Sequence, residues 1–221
     1  DRARMISTLT VLAAATMAIP SLAHTFHTPA APHAHALSMI CAVVLLALFV
    51  LTLPSFIRAT SDEEHEPARW SPVLTGTVLA GAGVAAAFTS DWFVSALTPA
   101  IHTLHMSQDF AGLVVVAIAG NAVENVVGVQ LAIRNKTDFA ISVIMNSSLQ
   151  IALALTPVLV LVSLLFAVHL TLVFPTLLAL VLVISAILGG FVVNDGESTW
   201  QEGAVLVGFY VVIASSFWWG T

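Results

Sequence analysis

Seven apolar stretches dominate this chain, and six of them hold no Asp, Glu, Lys or Arg. They run Met5–Ala23, Ala36–Ile57, Pro72–Phe88, Phe110–Ile133, Phe139–Val168, Thr171–Val193 and Gly203–Trp219. Each reaches the ~17 residues that a helix needs to cross ~30 Å of hydrocarbon. None alternates in polarity over ~10 residues, as strands of a membrane barrel would. With 59% of its residues hydrophobic and 8% charged, the chain does not read as a soluble domain. An all-α polytopic membrane protein of about seven transmembrane helices is predicted, with the lipid bilayer as its first partner. Six Lys and Arg against twelve Asp and Glu cannot supply the clustered cations that nucleic acid requires. The single cysteine, Cys41, excludes an internal disulfide framework and reads as a small apolar-environment residue.

The cations set an orientation. Arg2 and Arg4 precede the first stretch, Arg58 and Arg69 follow the second, and Arg134 and Lys136 follow the fourth. With seven passes all six fall on one face, which is expected to be cytoplasmic, leaving the C-terminus outside. Trp70, Trp92, Trp200, Trp218 and Trp219 flank the stretches, as an aromatic belt would. The chain opens on Asp1, which reads as an excerpt or a processed product. Arg2, Arg4 and the small-residue tail Ser21-Leu22-Ala23 also fit a secretory signal peptide, a rival reading of the first stretch. The acidic run Asp62-Glu63-Glu64-His65-Glu66 reads as a solvated cytoplasmic linker, with a weak divalent-cation site as its alternative. On the opposite face, His24, His27, His33 and His35 among prolines read as a flexible loop, although four imidazoles could hold a soft metal or sense pH. His102 and His105 are treated in the same way.

One acidic residue stands apart. Glu124 alone lies well inside an apolar stretch, and an ionisable group there costs at least ~2.5–3.5 kcal/mol, so it is expected to face a bundle interior and serve an ion or proton path. Gly120 and Gly128 flank it at spacings of four, a pattern that lets another helix approach, and Asn121 and Asn125 add amide oxygens nearby. Glycines and an asparagine also weaken the helix, and a broken helix frees carbonyls for a cation. The next stretch carries Ser142, Asn146 and Gln150 at spacings of four, with Ser147 and Ser148 beside them and Pro157 after Thr156. These polar residues are either glue between helices or ligands facing Glu124. As ligands they form a hard-oxygen set suited to Ca²⁺, Na⁺ or Mn²⁺. One carboxylate does not suffice for a dehydrated divalent ion, so the chain is expected to hold half of a site.

At Gly120-Asn121-Ala122-Val123-Glu124-Asn125, followed by Arg134-Asn135-Lys136 and Asn146-Ser147-Ser148-Leu149-Gln150, the sequence resembles the second α-repeat of calcium/proton exchangers of the CAX type, nearest the bacterial branch. The resemblance implies an eleven-span antiporter of two inverted halves, in which residues 1–58 hold two spans, 59–70 the acidic cytoplasmic loop, and 71–221 five spans with the second repeat at about 110–168. These would be spans five to eleven, in a bacterial inner membrane. It also implies cation and proton binding by Glu124, with Gln150 and Ser147 as further metal ligands. Transported Ca²⁺ and H⁺ would be the only small ligands, with no cofactor. The sequence departs from the family at Asn125, where many members have His, and it lacks the first repeat. That missing N-terminal half, in the same longer chain or a separate one, would be an obligatory partner.

Two further readings stand beside Ca²⁺/H⁺ exchange: Na⁺/H⁺ or K⁺/H⁺ exchange on the same fold, and a non-autonomous half of such a transporter. A membrane enzyme is not expected, because no stretch carries Gly-x-Ser-x-Gly, His-Glu-x-x-His or paired aspartates.

Overall fold

The computed structural model describes residues 2–61, 70–194 and 199–220, so the acidic run Asp62–Glu66 and Arg69 lie outside the described residues. The described chain is helical, with no strand. Its helices are α1 (Arg2–Thr25), α2 (Ala34–Ser61), α3 (Pro72–Leu104), α4 (Gln108–Gly120), α5 (Ala122–Ile133), α6 (Thr137–Leu165), α7 (Thr176–Asn194) and α8 (Trp200–Phe217). Six are long and apolar enough to cross a membrane. α4 and α5 meet at a 60° bend and add a seventh if they cross as one broken span. This is the predicted all-α membrane architecture.

α1 lies along α7, and the contact is made by small side chains. A Cβ built on Gly190 would come within 2.7 Å of Ser7 Oγ, while Ala14, Ala18 and Ala179 are buried in the same bundle. Small residues let helix axes close up where lipid offers no hydrophobic drive. Leu45 of α2 and Leu149 and Leu153 of α6 pack with Ile6, Ala13 and Met17 of α1 to form the core. The first stretch is therefore an integral element of the bundle described here.

Three expectations are corrected. The third apolar stretch ends at Phe88, yet α3 runs 33 residues to Leu104, about 50 Å at 1.5 Å per residue. Ser71 caps its start by accepting from Leu74 N–H, Pro72 occupies the first turn, and nothing breaks the helix until His105 turns left-handed at φ 53°. Asp91 and Trp92 end the apolar window without ending the helix. None of α3's residues is buried.

The fifth and sixth apolar stretches predict helix to Val168 and again from Thr171. Helix instead stops at Leu165, and residues 166–175 run as irregular backbone up to the start of α7. Backbone without a helix must find partners elsewhere in a dry setting. Three serines supply them. Ser21 Oγ donates to Leu172 O and accepts from Phe174 N–H, Ser38 Oγ accepts from Leu172 N–H, and Ser163 Oγ accepts from Leu170 N–H.

The third correction concerns the histidine-rich stretch. α1 continues to Thr25, a short 3-10 turn covers Ala31–His33, and α2 starts at Ala34, so His24 and His35 sit on helices. The thread from Thr25 to Ala31 is closed by backbone hydrogen bonds such as Thr28 N–H to Ala23 O, with His27 left-handed at φ 50°.

Candidate functional site

The site begins with the break between α4 and α5. Asn121 leaves helical geometry at φ −103°, ψ 20°, and its side-chain amide donates to Ala117 O at 3.0 Å, holding the end of α4. α5 restarts at Ala122, which puts Glu124 in its first turn, where exposed N–H groups favour a carboxylate. Before the break, Ala111–Val116 widens into a π-turn. A second π-turn, Ile151–Leu155, follows Gln150 in α6, just ahead of Pro157, which lacks the N–H for a regular helical bond. Irregular turns of this kind cluster at functional sites.

Ser147 of α6 meets Glu124 across this break, its Oγ lying 3.4 Å from Glu124 Oε1 in donor geometry. The two line a cavity of about 390 Å³ together with Asn121, Asn125, Ser148 and Tyr210. Among the described residues no second carboxylate lines it, and no cluster of three His, Cys, Asp or Glu exists to hold a metal. The half-buried Glu124 thus supplies the only carboxylate that the described residues bring to a partly open chamber, in which amide and hydroxyl groups alternate with Ala117, Ile118, Ile144 and Ile151.

The expected ligands divide between two faces of α6. Ile144, Ser147, Ser148 and Ile151 turn toward Glu124, whereas Asn146 and Gln150 line a separate small cavity with Phe49, Leu53 and Leu149. Asn146 Nδ2 lies 3.3 Å from Ser142 Oγ, and its Oδ1 is buried with no partner among the described residues. The structure therefore joins Glu124, Asn121, Asn125 and Ser147, and does not bring Asn146 or Gln150 into their chamber. Tyr210, from α8, was missed by sequence reading. Its one signal is that it is the only tyrosine of the chain, within an otherwise apolar stretch.

The two flanking glycines differ as well. A Cβ on Gly128 would stand 3.1 Å from Ile144 Cδ1, so this glycine sets the approach of α5 to α6. A Cβ on Gly120 would meet nothing within 4 Å. Gly128→Ala is expected to be less stable than Gly120→Ala by about 1 kcal/mol, because only the first adds a methyl that Ile144 must move to admit. Thermal unfolding in detergent checks the contrast, which an equal loss in both variants would contradict.

The family model described as sodium/calcium exchanger protein matches residues 74–219, a span that contains this chamber. The chain belongs to that exchanger family. Among relatives, this exchanger-family chain is 39% identical over 160 residues to the Ca(2+)/H(+) antiporter ChaA of Bacillus subtilis, covering 72% of this chain and 45% of that protein. It is 29% identical over 232 residues to the vacuolar calcium ion transporter of Schizosaccharomyces pombe, covering 98% of this chain and 56% of that one. The solved structure of native YfkE superposes with a TM-score of 0.79 at 29% identity, covering 98% of this chain and 63% of that one. The family is one of transporters, and the chain spans about half the length of the curated relatives it matches. The membership expected from the Gly120–Asn125 motif is met.

Proposed function

We propose that this exchanger-family chain is the second half of a Ca²⁺/H⁺ antiporter that exports Ca²⁺ by alternating access. The carrying observation is Glu124 opposite Ser147 at a helix break, in a chamber with one carboxylate and several amide and hydroxyl oxygens. A carboxylate can hold a proton or share a cation, not both at full strength, so the two ions compete for one group. Facing the cytoplasm, Glu124 releases its proton and takes Ca²⁺; facing outside, protonation expels the ion. Exchange follows if the loaded and protonated forms change access and the empty charged form does not.

Divalent binding requires a second negative charge, and the first-repeat half is proposed to bring it, from upstream in a longer chain or from a separate one. α3 supports this reading. Its glycines Gly76 and Gly83, two turns apart on one face, have open space where a Cβ would stand, so the helix offers a close-packing face that the described residues leave uncovered. Under the same proposal the described helices are spans five to eleven, and residues 110–168 are the second repeat. Residues 59–70 are the cytoplasmic acidic loop in a bacterial inner membrane, and the C-terminus is external. Gln150 and Asn146 become ligands only if α6 turns during the cycle.

Asn125, which lines the chamber where the family resemblance implies His in many members, favours a second reading in which Na⁺ or K⁺ replaces Ca²⁺. Proton flux in everted vesicles of the complete transporter separates the two. Ca²⁺ is expected to drive proton movement that excess Na⁺ or K⁺ does not suppress, and Ca²⁺ affinity is expected to fall as pH falls, because protons occupy the shared carboxylate. Flux driven by Na⁺ or K⁺ and indifferent to Ca²⁺ would overturn the first reading.

A further inference from the structure

Away from Glu124, two histidines meet that lie 134 residues apart in sequence. His35 sits in the first turn of α2, and His169 on the irregular segment after α6. Their ring centres are 5.2 Å apart with the planes tilted by 50°. His35 Nε2 is buried and has no hydrogen-bond partner among the described residues, whereas the His169 side is open to solvent. A tilted ring contact leaves such a nitrogen unsatisfied, which buried polar atoms rarely are.

The spacing suits a shared ion. Two imidazoles bound to one tetrahedral centre through bonds of ~2.0–2.1 Å have ring centres about 5 Å apart. The backbone on both sides is already fixed. Ser38, three residues after His35, accepts from Leu172 N–H at 3.0 Å, and Ser163 accepts from Leu170 N–H at 2.8 Å, so His169 is held next to α2 by bonds that do not involve either ring. Neutral imidazole prefers Zn²⁺, Cu²⁺ or Ni²⁺ to Ca²⁺, the reverse of the oxygen donors around Glu124.

We propose that His35 and His169 form a two-imidazole site for a borderline-soft divalent cation of the Zn²⁺ class, which clamps the start of α2 to the segment leading into α7. Water completes the coordination on the exposed side. The site is distinct from the transported ion's and stands whether or not the transport reading holds.

Zn²⁺ alone, titrated into the purified full-length protein in detergent, tests it by calorimetry and thermal unfolding. One equivalent is expected to bind and to raise the Tm. His35→Gln and His169→Gln are each expected to weaken binding by about tenfold or more, with the double variant no weaker than the weaker single one, because both rings serve one ion. His169→Gln should keep the metal-free Tm of the parent, since its ring is exposed, so lost binding there cannot be lost folding. His105→Gln should bind as the parent does. Unchanged Zn²⁺ affinity in His169→Gln, a Tm rise that survives in the double variant, or an equal rise with Ca²⁺ would overturn the site.

Discussion

Glu124→Gln in the complete transporter is expected to abolish Ca²⁺-driven proton flux in everted vesicles while the protein accumulates in the membrane as before. Glutamine keeps the shape of the side chain and an oxygen that can accept from Ser147 Oγ, the contact made at 3.4 Å to Glu124 Oε1. It removes the charge, and with it the only carboxylate that the described residues bring to the chamber. Insertion should not suffer, because a carboxylate in hydrocarbon costs at least ~2.5–3.5 kcal/mol and the neutral amide costs less. Glu124→Asp keeps the charge but withdraws it by one methylene, so weakened exchange with residual flux is expected. Near-normal flux in Glu124→Gln would remove Glu124 from the ion path and, with it, the proposed mechanism.

The membrane-length helices and the helix break are legible in the sequence because both depend on local chemistry. Apolar length alone marks α1, α2, α7 and α8, and Gly120-Asn121 marks the interruption before Glu124. Elsewhere the deciding contacts are distant in sequence. Little between Leu164 and Phe174 signals that helix ends at Leu165, since two of the three serines that satisfy the irregular backbone, Ser21 and Ser38, lie more than 130 residues from the Leu172 groups they bond. α3 outran its apolar window because charge ends a hydrophobic stretch, whereas only a cap or breaker ends a helix.

The candidate site was legible in part for a related reason. Spacing of four correctly grouped Ser142, Asn146 and Gln150 on one row of α6, but a period cannot say which row faces which neighbour. Asn146 and Gln150 line the small cavity with Phe49 and Leu53 of α2, while Ser147 meets Glu124. Tyr210 comes from a span with no motif at all, and only packing brings it to the chamber.

The buried serines yield the second large effect, this time on stability. Ser21→Ala is expected to destabilise the protein by about 2–5 kcal/mol, because Ser21 Oγ both donates to Leu172 O at 3.0 Å and accepts from Phe174 N–H at 2.8 Å. Ser21 and Leu172 are 0% and 1% exposed, so water cannot replace the lost partners without opening the bundle. Each orphaned backbone group then costs ~1–3 kcal/mol. Thr16→Ala is the matched control. Its hydroxyl bonds only to Leu12 O, one turn back on the same helix, and its loss should stay within about 0.5 kcal/mol. Because Ser21 joins α1 to the approach to α7, the damage should be local before it is global. Proteolysis between residues 166 and 175 should therefore precede loss of the helical signal on heating. A Ser21→Ala protein that melts with the parent would mean that the segment is not held by this hydroxyl, and that its path is set by the burial of Leu172 alone.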